Sequence, residues 1–205
     1  MKRIGVFLLA MVCCLSLCGC GIVDSITGKS DKEAAKAAYK QLVSVEESCV
    51  GVMEGVHSAW NFAIEKADIY TNAGACFEAY IAETGLPYSD ALDIMNAEIR
   101  NKGIEVTGTS QIEYLSDINT SVDLVLIWCE ENEIFDSWDV GMKNAQELIN
   151  SADVRFELIE YYKELLTCIE FVKNPAVSFD EFEAFKDKHK EELREYRIDM
   201  QLELG

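Results

Sequence analysis

The feature that most constrains the fold is a long series of apolar residues spaced alternately three and four positions apart. No proline interrupts it, since the two prolines of the 205-residue chain stand at positions 87 and 175. Steps of three and four place side chains on one face of an α-helix. The series therefore predicts a long amphipathic helix that ends near Tyr70. Its members are Leu42, Val45, Cys49, Val52, Val56, Ala59 and Ala63.

Similar spacings continue to the end of the chain and predict an all-α protein. Three capping boxes are expected to begin helices: Ser30 with Glu33, Ser110 with Glu113, and Ser178 with Glu181. Breaks are expected near 72–74, 85–87, 103–109, 130–134 and 174–175, and no stretch alternates with period two for long enough to be a strand. The pattern favours an elongated antiparallel, up-and-down helical bundle of about five to six helices, formed by a single domain over residues 31–205.

The amino terminus has the layout of a secretory signal peptide. Lys2 and Arg3 precede a nearly unbroken apolar run from Ile4 to Cys18. The small-residue pattern of an ordinary cleavage site is missing, and the run ends in Leu17-Cys18-Gly19-Cys20 instead.

This tetrapeptide resembles the lipobox of bacterial lipoproteins, a resemblance that covers residues 1–20 only. It implies a signal peptide at 1–19, a diacylglyceryl group on the thiol of Cys20, and a short tether at 20–30. Two acyl chains anchor a protein stably in a bilayer, whereas one holds only marginally. The expected location is the extracytoplasmic face of the cell membrane, with the lipid bilayer as the first partner.

Two alternatives remain at this terminus. A lipobox two residues earlier would modify Cys18, but it puts Leu17 before the cleaved bond, where a small residue belongs. An uncleaved signal anchor needs about 20 apolar residues; Ile4 to Val23 reaches that length but contains several glycines and a serine. Both alternatives still leave the domain outside the cytoplasm.

The amino-acid composition limits the classes of partner that the protein can be expected to bind. The formal net charge is −19 and becomes −21 when Lys2 and Arg3 leave with residues 1–19. Such a surface repels phosphate backbones and anionic membranes, so no nucleic acid is expected as a partner. The acidic residues are scattered, which favours solubility over recruitment of cations or a basic partner. For Cys49, Cys76, Cys129 and Cys168, buried free thiols are favoured over disulfides, because they are widely spaced and mostly on apolar stripes.

Few residues of the sequence could support catalysis or metal binding. No CxxC pair, nucleophile elbow, calcium loop or phosphate-binding glycine loop occurs, so neither an enzyme nor a cofactor is predicted. A dimetal bundle needs Glu-x-x-His on two helices. Glu54 and His57 match once, but Lys186 stands three residues before the only other histidine, His189. His189 and Glu192 form an inverted His-x-x-Glu whose side chains should lie one helical turn apart.

The sequence therefore predicts a non-enzymatic, membrane-anchored lipoprotein that binds another protein or an envelope component. The alternative is a helical bundle that binds a metal or small ligand through Glu54, His57, His189 and Glu192.

Overall fold

The structure is a computed structural model that describes residues 31–150 and 156–204. Within these ranges the chain is all-α, as predicted, with eight α-helices, one short 3-10 helix and no strand; the predicted count of five to six helices is not confirmed. No helix in the described part is long and apolar enough to cross a bilayer. The helices are α1 (Asp31–Glu65), α2 (Ala73–Thr84), α3 (Tyr88–Asn101), α4 (Gly108–Ser116), α5 (Ile118–Glu131), α6 (Ile134–Asn150), α7 (Phe156–Lys173) and α8 (Phe179–Leu204), with the 3-10 helix at Ala67–Ile69.

Contacts between the described residues group them into two compact units. The middle unit comprises residues 51–133. The flanking unit comprises residues 31–50, 134–150 and 156–204, so the boundary within α1 falls between Val50 and Gly51. The single domain that we expected over 31–205 remains a prediction. Ser30, which is expected to cap a helix, lies outside the described residues, as do residues 1–29 and 151–155.

The apolar stripe of α1 is confirmed, although the helix ends at Glu65 rather than Tyr70. Every member of the series from Leu42 to Ala63 is buried. In the middle unit the α1 backbone also accepts a hydrogen bond from a side chain, because Ser121 Oγ donates to Ala59 O at 3.0 Å. Tyr80, fully buried, donates from its hydroxyl to Ser121 O at 2.6 Å. These bonds satisfy polar groups that would otherwise be buried without partners.

The predicted helix over residues 110–129 is wrong in two respects. Thr107 caps α4, and its side chain forms a capping box with Ser110, so Ser110 is the third residue of the helix rather than its cap. Asp117 is extended (φ −81°, ψ 123°) and separates α4 from α5, with its carboxylate accepting from Thr120 N. Ile118 is 39% exposed, so the buried face of α4 and α5 is not continuous through this position. Because the break is only one residue long, the apolar residues on either side keep nearly the spacing of one continuous helix. The spacing therefore does not reveal the break.

Other predicted boundaries are confirmed. α2 ends at Gly85, whose φ of 75° is in the left-handed region, and α5 gives way to α6 at Glu133, which has a φ of 56°. The capping box before α8 is present: Ser178 N donates to Glu181 Oε2 at 2.9 Å and Glu181 N donates to Ser178 Oγ at 3.4 Å.

In the flanking unit, α7 and α8 pack against each other as an antiparallel pair. Their aromatic contacts show the direction: Phe171 stacks on Phe182 and Phe185 near the connection, and Tyr161 stacks on Tyr196 farther away. Residue numbers thus fall along one helix as they rise along the other. This packing places polar side chains of α7 close to polar side chains of α8.

Candidate functional site

A cluster of metal-ligand side chains lies between α7 and α8 in the flanking unit. The ligand atoms of Glu164, Cys168 and His189 all lie within 4.8 Å of one another. Glu164 Oε1 is in hydrogen-bond contact with His189 Nδ1. Glu192 Oε2 lies 3.3 Å from the same nitrogen. The imidazole therefore faces carboxylates from both helices.

Helix geometry explains why these four residues converge. Glu164 and Cys168 are four positions apart on α7, and His189 and Glu192 are three apart on α8, so each pair shares a helix face. The imidazole is packed on its other side by Phe185, whose ring centroid lies 3.9 Å from that of His189. Phe185 in turn stacks on Phe171 at 3.6 Å. The histidine ring is thus oriented by apolar packing as well as by its polar partners.

The cluster is buried on one side and open on the other. Cys168 is fully buried, and the side chains of His189 and Glu164 are 11% and 18% exposed. The Glu192 side chain is 39% exposed. Burial raises the pKa of the Cys168 thiol to about 12, with a further contribution from nearby carboxylates. The pKa of Glu192 is also raised, by desolvation and then by its neighbour Glu164.

A cysteine, a histidine and a carboxylate also form the nucleophilic sets of some enzymes. That chemistry needs an accessible thiol whose pKa is lowered, because the thiolate is the nucleophile. Cys168 has the opposite properties, since it is fully buried and its pKa is raised. The thiol is therefore not presented to a substrate as an activated nucleophile, and metal ligation, which also uses the thiolate, requires the ion to displace the thiol proton.

The residues that the sequence singled out lie in different parts of the chain. Cys20 lies outside the described residues, so its predicted lipidation stays a prediction. Glu54 and His57 are half-buried positions of α1 in the middle unit and are not members of the ligand cluster. His189 and Glu192 belong to the flanking unit, and their 3.3 Å contact agrees with the expected one-turn spacing.

Glu164 and Cys168 are the site residues that sequence reasoning missed. Cys168 was interpreted only as a small hydrophobic member of the α7 stripe. A signal was present, because Glu164 stands one helical turn before it and both residue types bind metals. All four cysteines in the described ranges are buried and free, as the sequence favoured.

A second buried polar cluster lies elsewhere in the flanking unit. The Tyr161 hydroxyl donates to Glu46 Oε2, and Arg197 Nη1 lies 3.8 Å from Glu46 Oε1. Arg197 also donates to Glu47 Oε1 at 2.7 Å. Desolvation raises the pKa of Glu46, although Tyr161 and Arg197 oppose the shift. These groups satisfy one another and join α1, α7 and α8, which is the pattern of a structural network.

No protein-family model, curated protein or solved structure matches this chain.

Proposed function

We propose that the protein is a lipoprotein anchored on the extracytoplasmic face of a bacterial cell membrane, where its helical part binds another protein or an envelope component without catalysing a reaction. The observation that carries the proposal is Leu17-Cys18-Gly19-Cys20 at the end of an apolar run that begins behind Lys2 and Arg3. A diacylglyceryl group on Cys20 supplies the two chains that stable anchoring requires.

Charge supports a tether of this kind. The acidic helical part has no electrostatic attraction to an anionic membrane surface, so the lipid must hold the protein there. The same charge disfavours strongly acidic partners, because juxtaposed like charges suppress binding. We further propose that the helices form an antiparallel, up-and-down bundle, a hypothesis supported by the antiparallel packing of α7 on α8.

The anchor is tested by fractionation and mass spectrometry of the native protein. Cys20→Ala should release the protein from the membrane fraction and abolish acylation. Cys18→Ala, the matched control, should change neither. An intact Met1 terminus, or membrane retention of an unmodified Cys20→Ala protein, would instead support the uncleaved signal anchor.

Partner binding is tested separately by enrichment from envelope extract on the immobilised protein. The expected result is one recurring component that, once purified, binds the protein directly. Repeated failure to recover any component that binds directly would contradict this part of the proposal.

A metal-binding role is the second candidate function. The observation that favours it is the convergence of Glu164, Cys168 and His189, whose ligand atoms lie within 4.8 Å of one another. The metal-binding alternative from the sequence relied on Glu54, His57, His189 and Glu192, of which only His189 and Glu192 are at this place.

A further inference from the structure

We propose that Glu164, Cys168, His189 and Glu192 bind one divalent transition-metal ion of the zinc class between α7 and α8. The first three have ligand atoms within 4.8 Å of one another. Glu192 adds a fourth donor, because its Oε2 lies 3.3 Å from His189 Nδ1. The site does not depend on the lipid anchor, since every proposed ligand lies in the flanking unit.

Binding of a four-coordinate ion needs small side-chain shifts in both directions, because Glu164 Oε1 and His189 Nδ1 are in hydrogen-bond contact and must move apart, whereas the most widely separated ligand atoms must approach each other. Zinc bonds to nitrogen, oxygen and sulfur are about 2.0–2.3 Å long, so tetrahedral ligands lie about 3.3–3.8 Å apart. The limit of 4.8 Å within which the ligand atoms of Glu164, Cys168 and His189 lie exceeds this range by about 1 Å. Changes in side-chain torsions of Glu164 and Glu192 supply a shift of that size without moving the helices, because glutamate has three rotatable bonds.

The donor set selects the class of ion. A thiol sulfur and an imidazole nitrogen favour zinc and neighbouring transition metals, whereas magnesium and calcium prefer sites made wholly of oxygen. Binding breaks the S–H bond of Cys168 and forms a sulfur–metal bond, with the proton released to solvent. The ion then offsets the repulsion between the two carboxylates.

The surroundings provide both rigidity and a route of entry. Phe185 packs against His189 with its ring tilted by 33° and restrains the imidazole, which is the support that a metal ligand needs. On the other side Glu192 is 39% exposed. Lys188 Nζ lies 3.8 Å from Glu192 Oε1, which leaves Oε2 on the side of His189. An ion arriving from solvent therefore meets Glu192 first.

Cobalt(II) titration of the purified full-length protein in detergent, without a histidine tag, tests the site directly. A cobalt–thiolate bond produces a charge-transfer absorption band, so the wild type should show that band and saturate at one ion per chain. Cys168→Ser should lose the band. His189→Gln should weaken binding by more than about 100-fold, because loss of an outer-shell partner alone costs 10–100-fold.

The chain offers matched controls for both variants. Cys129 is another fully buried cysteine, and His57 is the other histidine. Cys129→Ser and His57→Gln should bind cobalt with the wild-type affinity and spectrum. Far-UV circular dichroism establishes that each variant is folded.

A zinc-dependent rise in melting temperature gives a second measurement that does not rely on cobalt. It should appear in the wild type and in His57→Gln, and it should be absent in folded His189→Gln, because a ligand that binds only the folded state stabilises it. The proposal is overturned if the wild type shows neither the thiolate band nor the shift. It is equally overturned if the control variants weaken binding as much as the site variants do.

Discussion

Two buried helical glycines should respond in opposite ways to the same substitution. A Cβ at Gly141 on α6 would lie 2.6 Å from Cγ2 of Val45 on α1, closer than real Cβ contacts. A Cβ at Gly55 on α1 would lie 3.5 Å from Cγ1 of Val125 and 3.6 Å from Thr84 O, which is ordinary contact. The neighbours of Gly55 are therefore near but leave room for a methyl group.

The expected magnitudes follow from two opposing effects. Alanine is favoured over glycine in a helix by about 0.8–1.0 kcal/mol, so Gly55→Ala should stabilise the protein by about 1 kcal/mol. Gly141→Ala gains the same amount but forces overpacking, which costs about 1–3 kcal/mol. Val45 has little freedom to move aside, because a helical valine is restricted to essentially one rotamer. Gly141→Ala should therefore be neutral to destabilising, by about 0–2 kcal/mol.

A double-mutant cycle with Val45→Ala isolates the clash. Val45 is 1% exposed, so its truncation alone should destabilise the protein by about 2 kcal/mol through lost burial and a cavity. In Gly141→Ala/Val45→Ala the new methyl group occupies part of that cavity. The double variant should be less destabilised than the sum of the single variants by about 1 kcal/mol or more. Urea denaturation followed by far-UV circular dichroism measures all five proteins.

The reasoning is refuted by either of two results. One is a Gly141→Ala protein stabilised as much as Gly55→Ala, which would show that α1 and α6 do not approach closely at this point. The other is strict additivity of Gly141→Ala and Val45→Ala, because residues that clash cannot contribute independently.

Two further predictions concern buried polar groups. Trp138→Phe should destabilise the protein by about 1–3 kcal/mol more than Trp128→Phe in urea denaturation. The reason is that Trp138 Nε1 donates to Ser48 Oγ at 2.9 Å, whereas Trp128 Nε1 has no hydrogen-bond partner within the described ranges. Equal losses of stability would contradict this prediction. Burial raises the pKa of Glu46 despite the hydrogen bond from Tyr161, so the folded state holds the proton more tightly than the unfolded state. The stability of the wild type relative to Glu46→Gln should rise as pH falls from 7 and level off below about 4.3, the usual glutamate value; parallel pH curves would show that Glu46 titrates normally.

Sequence periodicity predicted which faces are buried. The stripes of α1, α7 and α8 were identified correctly because the same physics, burial of one helical face, produces both the spacing and the packing. Leu158, Leu165 and Leu193, for example, lie on these stripes and are buried. Glycine and proline positions identified several ends equally well, since Gly85 adopts the left-handed conformation and α7 stops two residues before Pro175.

Boundaries set by short polar side chains were harder to predict. Thr107 and Asp117 each cap a helix, yet Ser110 had an apparently complete capping signature with Glu113. Several residues near a helix start can act as caps, and packing rather than local preference selects among them. The extra break at Asp117 contributes to the difference between the predicted five to six helices and the eight in the described residues.

The ligand cluster shows where a single sequence stops being informative. The spacing within each helix places Glu164 with Cys168 and His189 with Glu192, but it does not say that the two pairs face each other. A slip of one turn, about 5.4 Å, would bring Phe185 or Leu193 to the position of His189. The stacking of Phe171 on Phe182 and Phe185 fixes the register of α7 against α8. The proposed metal site is therefore a consequence of this aromatic packing, because the register it sets brings a thiol, an imidazole and two carboxylates together.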